Sequence, residues 1–424
     1  MNITVKNKSN GLNGIIEIPP DKSISHRAIM LSSLCNGKTI VKNFSVGVDC
    51  LSTLGIIKQL GCETKFIDEH TVEIKSKNIF NGQTLDLDCG NSGTTMRLMS
   101  GLLAGRNINC KLFGDESLSK RPMKRVIDPL TMMGAKISHN DYKAPLFING
   151  TKLRAINYES KLSSAQVKSC ILLAGLNTEN ETSYTEPFLS RNHTELMLEY
   201  LGANISTDKN RTFITKSDLV AKDLEVPGDI SSAAFFICAA LITPNSDIIL
   251  KNVGLNPTRT GIIDVIEQMG GYIEILDKKL ICNELVGDIR IKYAQLKGIE
   301  ISGALIPRLI DELPVIAVLA SQADGTTIVK DAQDLRNKES DRIKCLVSEL
   351  RKIGIDIEET EDGFIITGKQ TIQGNAEVEC YHDHRLAMSL YVAGLISKNP
   401  ITINEFQWVD ISFPEFLKLM EKLS

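Results

Sequence analysis

Five amphipathic stretches of this chain end in the same way, and that repetition limits what it can fold into more than any single motif does. They read Gln59-Leu60-Gly61-Cys62-Glu63-Thr64, Met132-Met133-Gly134-Ala135-Lys136-Ile137, Tyr200-Leu201-Gly202-Ala203-Asn204-Ile205, Gln268-Met269-Gly270-Gly271-Tyr272-Ile273 and Lys352-Ile353-Gly354-Ile355-Asp356-Ile357. Each reads as a helix closed by glycine, which enters the left-handed conformation cheaply, followed by a strand of alternating character. Intervals of roughly 70 to 85 residues mark an internal repeat. A final helix over 414–423 begins a sixth ending.

A second kind of helix recurs in the same period, over 23–34, 92–104, 164–176, 231–241, 311–320 and 384–395, and it is apolar on most faces. Helices that apolar must be buried, so they are the candidate core. Their first turns are polar: Asp21-Lys22-Ser23, Gly90-Asn91-Ser92-Gly93-Thr94, Ser163-Ser164-Ala165-Gln166, Gly228-Asp229-Ile230-Ser231-Ser232, Ile310-Asp311-Glu312 and His382-Asp383-His384. Any one of these starts is explained by capping alone. Six in register, if the helices run parallel, gather free backbone N–H groups and positive dipole ends in one region. Residues 19–27, Pro-Pro-Asp-Lys-Ser-Ile-Ser-His-Arg, add Lys22, Ser23 and Arg27 to such a start, which is an anion-type site.

Composition narrows the functional classes. With 424 residues and 42% hydrophobic content the chain can bury a large core, as two domains or one repeat array. Its 48 Lys and Arg against 52 Asp and Glu leave a formal charge of -4, so no bulk field draws in nucleic acid or an acidic membrane. The 5% aromatic content and single tryptophan, Trp408, offer no stacking platform for RNA. Ten cysteines stand singly, without a C-x-x-C pair, and the six histidines do not cluster, so no metal site is expected. Residues 1–8 lack an apolar core of signal-peptide length, and the longest apolar run, 233–243, is about half a membrane span. The expectation is a reduced, cytoplasmic protein that engages no membrane.

The segment Pro20-Asp21-Lys22-Ser23-Ile24-Ser25-His26-Arg27-Ala28, with Gly90-Asn91-Ser92-Gly93-Thr94-Thr95-Met96-Arg97-Leu98, closely resembles the two signatures of the EPSP synthase (3-phosphoshikimate 1-carboxyvinyltransferase) family. Ser119-Lys120-Arg121-Pro122-Met123, Ser164-Ala165-Gln166, Lys338-Glu339-Ser340-Asp341-Arg342 and Asp383-His384-Arg385 continue the likeness in the family's order. Together they span essentially the whole chain, which makes the combination specific although each piece is weak alone.

The resemblance implies an α/β (α+β) fold: a two-lobed inside-out α/β barrel of six βαβαββ repeats, three per lobe. The chain would cross near Pro20 and Pro227, giving one lobe of residues 1–19 plus 228–424 and another of 20–227, with the active site in the interlobe cleft. It further implies enolpyruvyl transfer from phosphoenolpyruvate to the 5-hydroxyl of 3-phosphoshikimate by addition and elimination, on the route to chorismate and the aromatic amino acids. Small-molecule substrates, no cofactor, no nucleic acid and a monomeric enzyme are expected. Both substrates carry phosphate and carboxylate, so several fixed cations are needed, with paired acid and base groups for the proton transfers.

Carried over position by position, Lys22 resembles the central lysine that touches both substrates, with Ser23 and Arg27 on the shikimate carboxylate. A cation is locally unfavourable at a helix N-terminus, which itself asks for a reason. Ser164 and Arg191 would hold the 3-phosphate, with Gln166 beside the ring and Ser163 as the other possible cap. Gly93, Arg121, Arg342 and Arg385, with Lys22 and Gln166, would receive phosphoenolpyruvate. Asp311 would bind the ring hydroxyls and take the attacking proton, Lys338 would contact the same hydroxyls, and Glu339 would move the proton at C3. Capping by Asp311, and a surface charge run over 336–342, are the plainer alternatives.

Two departures matter. Many relatives carry Lys before the Ser/Thr-Phe-Pro near the C-terminus, where this chain has Ile411, so no contact is assigned there. Gly93 leaves room that an alanine methyl would fill, which implies sensitivity to glyphosate. The UDP-N-acetylglucosamine enolpyruvyl transferases share the implied fold and donor but use a cysteine in the loop before their Arg-Pro pair. Gly114-Asp115-Glu116-Ser117-Leu118-Ser119-Lys120 has none, and Ser23 rather than Asn follows Lys22, so the shikimate acceptor is favoured.

Overall fold

In the computed structural model, which describes residues 1–8, 10–78, 82 and 84–423, all five closing glycines lie at positive φ. A Cβ at Gly61, Gly134 or Gly270 would meet nothing within 4 Å. The left-handed backbone, rather than lack of space, therefore calls for glycine there. The closed helices are Val48–Gln59, Lys124–Met132, His193–Tyr200, Gly261–Gln268 and Arg342–Lys352. Each leads into a strand: Glu63–Asp68, Lys136–Asn140, Ile205–Asp208, Tyr272–Ile281 and Ile357–Glu359.

The chain divides into two units. One comprises Met1–Pro19, Gly228–Lys279 and Leu285–Ser424; the other comprises Pro20–Pro227 with Leu280–Glu284. Each has its own hydrophobic core. The second unit is built on the helices Lys22–Leu34, Gly93–Ala104 and Ala165–Gly175, the first on Ile230–Ile242, Leu313–Ala320 and His384–Gly394. Most residues of these six helices are buried, and each fully buried Leu, Ile, Val or Phe contributes about 1.5–3 kcal/mol relative to exposure. Five start on a side chain that accepts a backbone N–H: Asp21, Ser92, Ser164, Asp229 and Asp383. The exception is Leu313–Ala320, where Pro314 occupies the first turn and Glu312 makes no side-chain cap bond. That helix begins two residues later than the sequence suggested, and Asp311 is not its cap.

The strands repeat one order. In the sheet Thr84–Asp88, Asn109–Phe113, Lys143–Asn149, Lys136–Asn140 the first pair is parallel, spanned by a buried helix, and the others are antiparallel. The order recurs in Asn157–Glu159, Thr182–Thr185, Arg211–Ile214, Ile205–Asp208 and in Glu300–Ile301, Gly325–Val329, Phe364–Gly368, Ile357–Glu359. Two other sheets take their first strand from elsewhere in the sequence. Asn13–Glu17 pairs parallel with Asp247–Gly254, and Leu219–Val220 and Leu224–Glu225 pair parallel with Cys35–Lys42. The sixth sheet has Ala376–Glu379 parallel to Ile401–Asn404 and Ile3–Val5 antiparallel to it, with Ile3 opposite Ile403. The strand that the last repeat lacks comes from the beginning of the chain.

Candidate active site

In the second unit, three helix starts carry the site candidates. Lys22 opens the helix Lys22–Leu34 behind the Asp21 cap, and its ammonium lies 3.2 Å from Asp49 Oδ2. Ser23, beside it, is half-buried. One turn on, Arg27 is 3% exposed. It donates through Nη1 to Ser23 O at 2.9 Å, through Nε to Thr194 Oγ1 at 2.7 Å and through Nη2 to Ser169 Oγ at 2.9 Å. These bonds fix the guanidinium rigidly against two further segments.

His26 continues a buried chain of hydrogen bonds from that helix to the next. Its Nδ1 is 2.7 Å from Thr53 Oγ1, which is 2.7 Å from Thr95 Oγ1, and Thr95 Oγ1 donates to the capping Ser92 Oγ at 2.7 Å. Burial, and then the nearby charges of Lys22 and Arg27, hold the imidazole pKa well below its ordinary value of 6.5. A neutral ring that donates from Nδ1 satisfies every link of this chain in order.

The helix Gly93–Ala104 starts beside the Arg121 side chain: a Cβ on Gly93 would lie 3.6 Å from Arg121 Nη1 and 2.9 Å from Arg97 Nη1. Arg97 donates to Gln166 Oε1 at 2.7 Å, and Gln166 Nε2 donates to Thr94 Oγ1 at 3.0 Å. Arg121 donates to Asn91 Oδ1 at 2.8 Å. Gly93, Arg121 and Gln166 are thus brought together, and Arg97 joins them. Sequence reasoning missed Arg97, although an arginine one turn after Gly93 on an otherwise apolar helix was a usable signal. Asp49 and Thr194 left no such signal.

Ser164, rather than Ser163, caps its helix, accepting from Val167 N at 3.5 Å. Ser163 Oγ instead donates to Phe188 O at 2.6 Å, tying the helix start to the segment that carries Arg191. That segment is anchored again by Lys168, which is fully buried and contacts Glu186 and Glu195.

In the first unit, the expected residues gather around one buried guanidinium. Arg342, 1% exposed, donates through Nε to Asp383 Oδ2 at 2.7 Å, through Nη2 to Glu339 Oε2 at 2.6 Å and through Nη1 to Asp311 Oδ1 at 3.2 Å. Lys338 Nζ stands 3.9 Å from Asp311 Oδ1, and Arg385 Nη2 stands 3.8 Å from Asp311 Oδ2. Arg385 Nη1 also donates to Asp311 O at 3.3 Å. Burial alone would lower the Arg342 pKa, but the charges of Asp383, Glu339 and Asp311 raise it above its ordinary value, so it stays charged. Asp311, Lys338, Glu339, Arg342 and Arg385 therefore form one cluster. It offers cations for an anionic ligand and two carboxylates able to exchange protons.

Among the described residues no group of three or more His, Cys, Asp or Glu could hold a metal ion, and no helix is long and apolar enough to cross a membrane. Ile411 ends the turn Phe406–Ile411, next to Ser412 and the buried Phe413.

The family profile described as EPSP synthase (3-phosphoshikimate 1-carboxyvinyltransferase) matches residues 6–420. The chain is 50% identical over 420 residues to a 3-phosphoshikimate 1-carboxyvinyltransferase of Petrotoga mobilis, covering 97% of each. It is 48% identical over 433 residues to one of Bacillus subtilis, covering 99% of each. Among solved structures, an EPSP synthase from Acinetobacter baumannii superposes with a TM-score of 0.88 at 40% identity, over 100% of this chain and 98% of that one. The enolpyruvyl transferase NikO from Streptomyces tendae shares the fold alone, with a TM-score of 0.81 at 15% identity. The chain belongs to the EPSP synthase (3-phosphoshikimate 1-carboxyvinyltransferase) family.

Proposed function

We propose that this enzyme transfers the enolpyruvyl group of phosphoenolpyruvate to the 5-hydroxyl of 3-phosphoshikimate, yielding 5-enolpyruvylshikimate 3-phosphate and phosphate. The observation that carries the reading is the first unit's cluster, in which two carboxylates, Asp311 and Glu339, share the surroundings of Arg342 with Lys338 and Arg385. A purely anion-binding module has no use for those carboxylates, whereas addition and elimination need them. In the addition, the 5-oxygen bonds to C2 of phosphoenolpyruvate while C3 gains a proton. In the elimination, C3 loses a proton, the C2–O bond to phosphate breaks and the enol ether remains.

Each residue then has a task. Asp311 takes the hydroxyl proton and Lys338 binds the ring hydroxyls, while Glu339 moves the proton at C3. Arg342 and Arg385, with Arg121, Gln166 and the open backbone at Gly93, receive phosphoenolpyruvate. Lys22 meets both substrates. Ser23 and Arg27 take the shikimate carboxylate, and Ser164, Gln166 and Arg191 the phosphate and ring. A cluster of cations is worth most for planar carboxylates when guanidinium forks supply it. Against the UDP-N-acetylglucosamine alternative stands the lack of a nucleophilic thiol before Arg121: the nearby Cys110 is buried, and burial pushes its pKa to about 12. Ten unpaired cysteines suit a reducing cytoplasm, and we read the working form as a monomer.

The deciding experiment mixes the protein with phosphoenolpyruvate and either 3-phosphoshikimate or UDP-N-acetylglucosamine and follows phosphate release. Release with 3-phosphoshikimate alone is expected. No release with that acceptor overturns the reading.

A further inference from the structure

Lys168 is a charged side chain with no part in the chemistry above, and it is completely buried. Its ammonium lies 2.8 Å from Glu186 Oε1, 2.8 Å from Glu195 Oε1 and 3.0 Å from Ser190 O. Glu186 and Glu195 are 1% and 5% exposed. Burial works against the lysine's charge, and the two carboxylates outweigh it, so the ammonium is retained. One cation against two anions leaves the group net negative in a desolvated site, an arrangement that costs stability unless its geometry is needed.

The geometry centres on one residue. Ser190 N donates to Glu186 Oε1 at 2.8 Å and Ser190 O accepts from Lys168. Ser190 is thereby held at both its N–H and its carbonyl, and that carbonyl belongs to the peptide unit from which Arg191 departs. Glu195, on the far side of Arg191, is held by the same ammonium. Lys168 lies one helical turn after Ser164, whose carbonyl accepts the Lys168 N–H at 2.9 Å. One buried side chain therefore ties the Ser164 helix start to both flanks of Arg191.

We propose that Lys168 is a positioning residue for 3-phosphoshikimate, fixing the separation and orientation of Ser164 and Arg191 through the Glu186–Ser190 bonds. The inference rests on the reading that Ser164 and Arg191 hold the substrate phosphate. Displacement of a binding group by about an ångström is enough to cost a large factor in an oriented site. The effect falls mainly on 3-phosphoshikimate, because Arg191 is assigned to that substrate alone, whereas of the phosphoenolpyruvate residues only Gln166 shares this helix and it is held separately by Arg97 and Thr94.

The test is steady-state kinetics with each substrate varied in turn. Lys168→Met combined with Glu195→Gln, which removes one of the two anions left behind, is expected to raise KM for 3-phosphoshikimate about tenfold or more while KM for phosphoenolpyruvate stays within about twofold. A second pair keeps the test decisive if that variant does not fold. Glu186 Oε2 has no hydrogen-bond partner, so Glu186→Gln places its amide nitrogen there and keeps the oxygen that receives Ser190 N–H. Glu186→Gln should behave as the parent, whereas Glu186→Ala should reproduce the rise in KM for 3-phosphoshikimate. Equal effects on both substrates, or an unchanged KM for 3-phosphoshikimate in Glu186→Ala, would overturn the positioning role. Arg191→Ala separates the two failures. If it raises KM for 3-phosphoshikimate and the Lys168 and Glu186 variants do not, only the positioning role falls; if it does not, the phosphate assignment falls too.

Discussion

Gly101→Ala should damage this protein through a single methyl group. Gly101 lies inside the helix Gly93–Ala104, and a Cβ there would stand 2.0 Å from Cys170 O, 2.7 Å from Cys170 C and 2.9 Å from Cys170 Cα. All three atoms are backbone of the helix Ala165–Gly175, so no side chain can swing aside. Relieving the contact requires the two helices to separate by about 1 Å, and forced overpacking of this kind costs about 1–3 kcal/mol. The upper end applies, because the obstacle is a helical carbonyl in a close-packed core. With about 2–4 °C lost per kcal/mol in a unit of this size, the melting midpoint should fall by roughly 6–12 °C.

The same displacement reaches the site. Arg97 Nη1 to Gln166 Oε1 spans 2.7 Å and Gln166 Nε2 to Thr94 Oγ1 spans 3.0 Å, each joining the two helices. Stretched by about 1 Å, neither remains a hydrogen bond. KM for phosphoenolpyruvate should therefore rise along with the loss of stability. Gly61→Ala is the control: its Cβ meets nothing, and only the positive φ opposes it, at about 1 kcal/mol. Thermal unfolding followed by circular dichroism, with kinetics on the same samples, checks both. A Gly101→Ala protein that melts within 2 °C of the parent would refute the close approach of the two backbones.

Gly93→Ala puts its methyl 2.9 Å from Arg97 Nη1 and 3.6 Å from Arg121 Nη1, so inhibition by glyphosate should weaken, and an unchanged inhibition constant would contradict this. Lys22→Met should lower kcat by about a thousandfold or more while leaving the fold intact, with a modest drop in melting midpoint because the largely buried Asp49 carboxylate loses that ammonium. An active variant removes Lys22 from its central role. His26 gives a pH signature: below about 6.5 the unfolded chain binds a proton that the folded chain refuses, so stability falls with acidity by up to about 1.4 kcal/mol per pH unit. Urea titrations from pH 7 to 5 should show a shallower decline in His26→Asn; parallel declines would mean that the imidazole is not held neutral.

What the sequence disclosed was local chemistry. A left-handed closure needs glycine and a helix start needs a short polar side chain, so the five Gly endings and the caps Asp21, Ser92, Ser164, Asp229 and Asp383 were readable from residue type and spacing. What it withheld depends on contacts between distant segments. Ile3–Val5 completes a sheet with Ile401–Asn404, and nothing within either segment names the other. Asp49 pairs with Lys22, and Thr194 with Arg27, across long stretches of chain. The sequence places Asp311 in the polar first turn of a helix over 311–320, yet that helix starts at Leu313 with Pro314 in its first turn. Lys168 lay in a segment read simply as buried helix, and its charge was the overlooked clue.

The Arg342 cluster also changes how anion binding in the first unit must be understood. Counting basic residues suggests a positive surface waiting for a ligand, but Lys338, Arg342 and Arg385 face Asp311, Asp334, Glu339 and Asp383, so the cations are already matched by carboxylates. A carboxylate that binds Arg342 must exchange with one already there. Asp383 is fully buried, caps the helix His384–Gly394 and accepts from Ser340 Oγ, which makes it the costliest to displace. Glu339 is the most open of the three on Arg342, with its side chain 27% exposed against 13% for Asp311 and 0% for Asp383. Under the proposed function, phosphoenolpyruvate would therefore take the place of Glu339 on Nη2, and the displaced side chain, released from its ion pair, would be free to take up from solvent the proton that it delivers to C3. Because the incoming carboxylate competes with one already bound, affinity there reflects the difference between two ion pairs rather than the full strength of one.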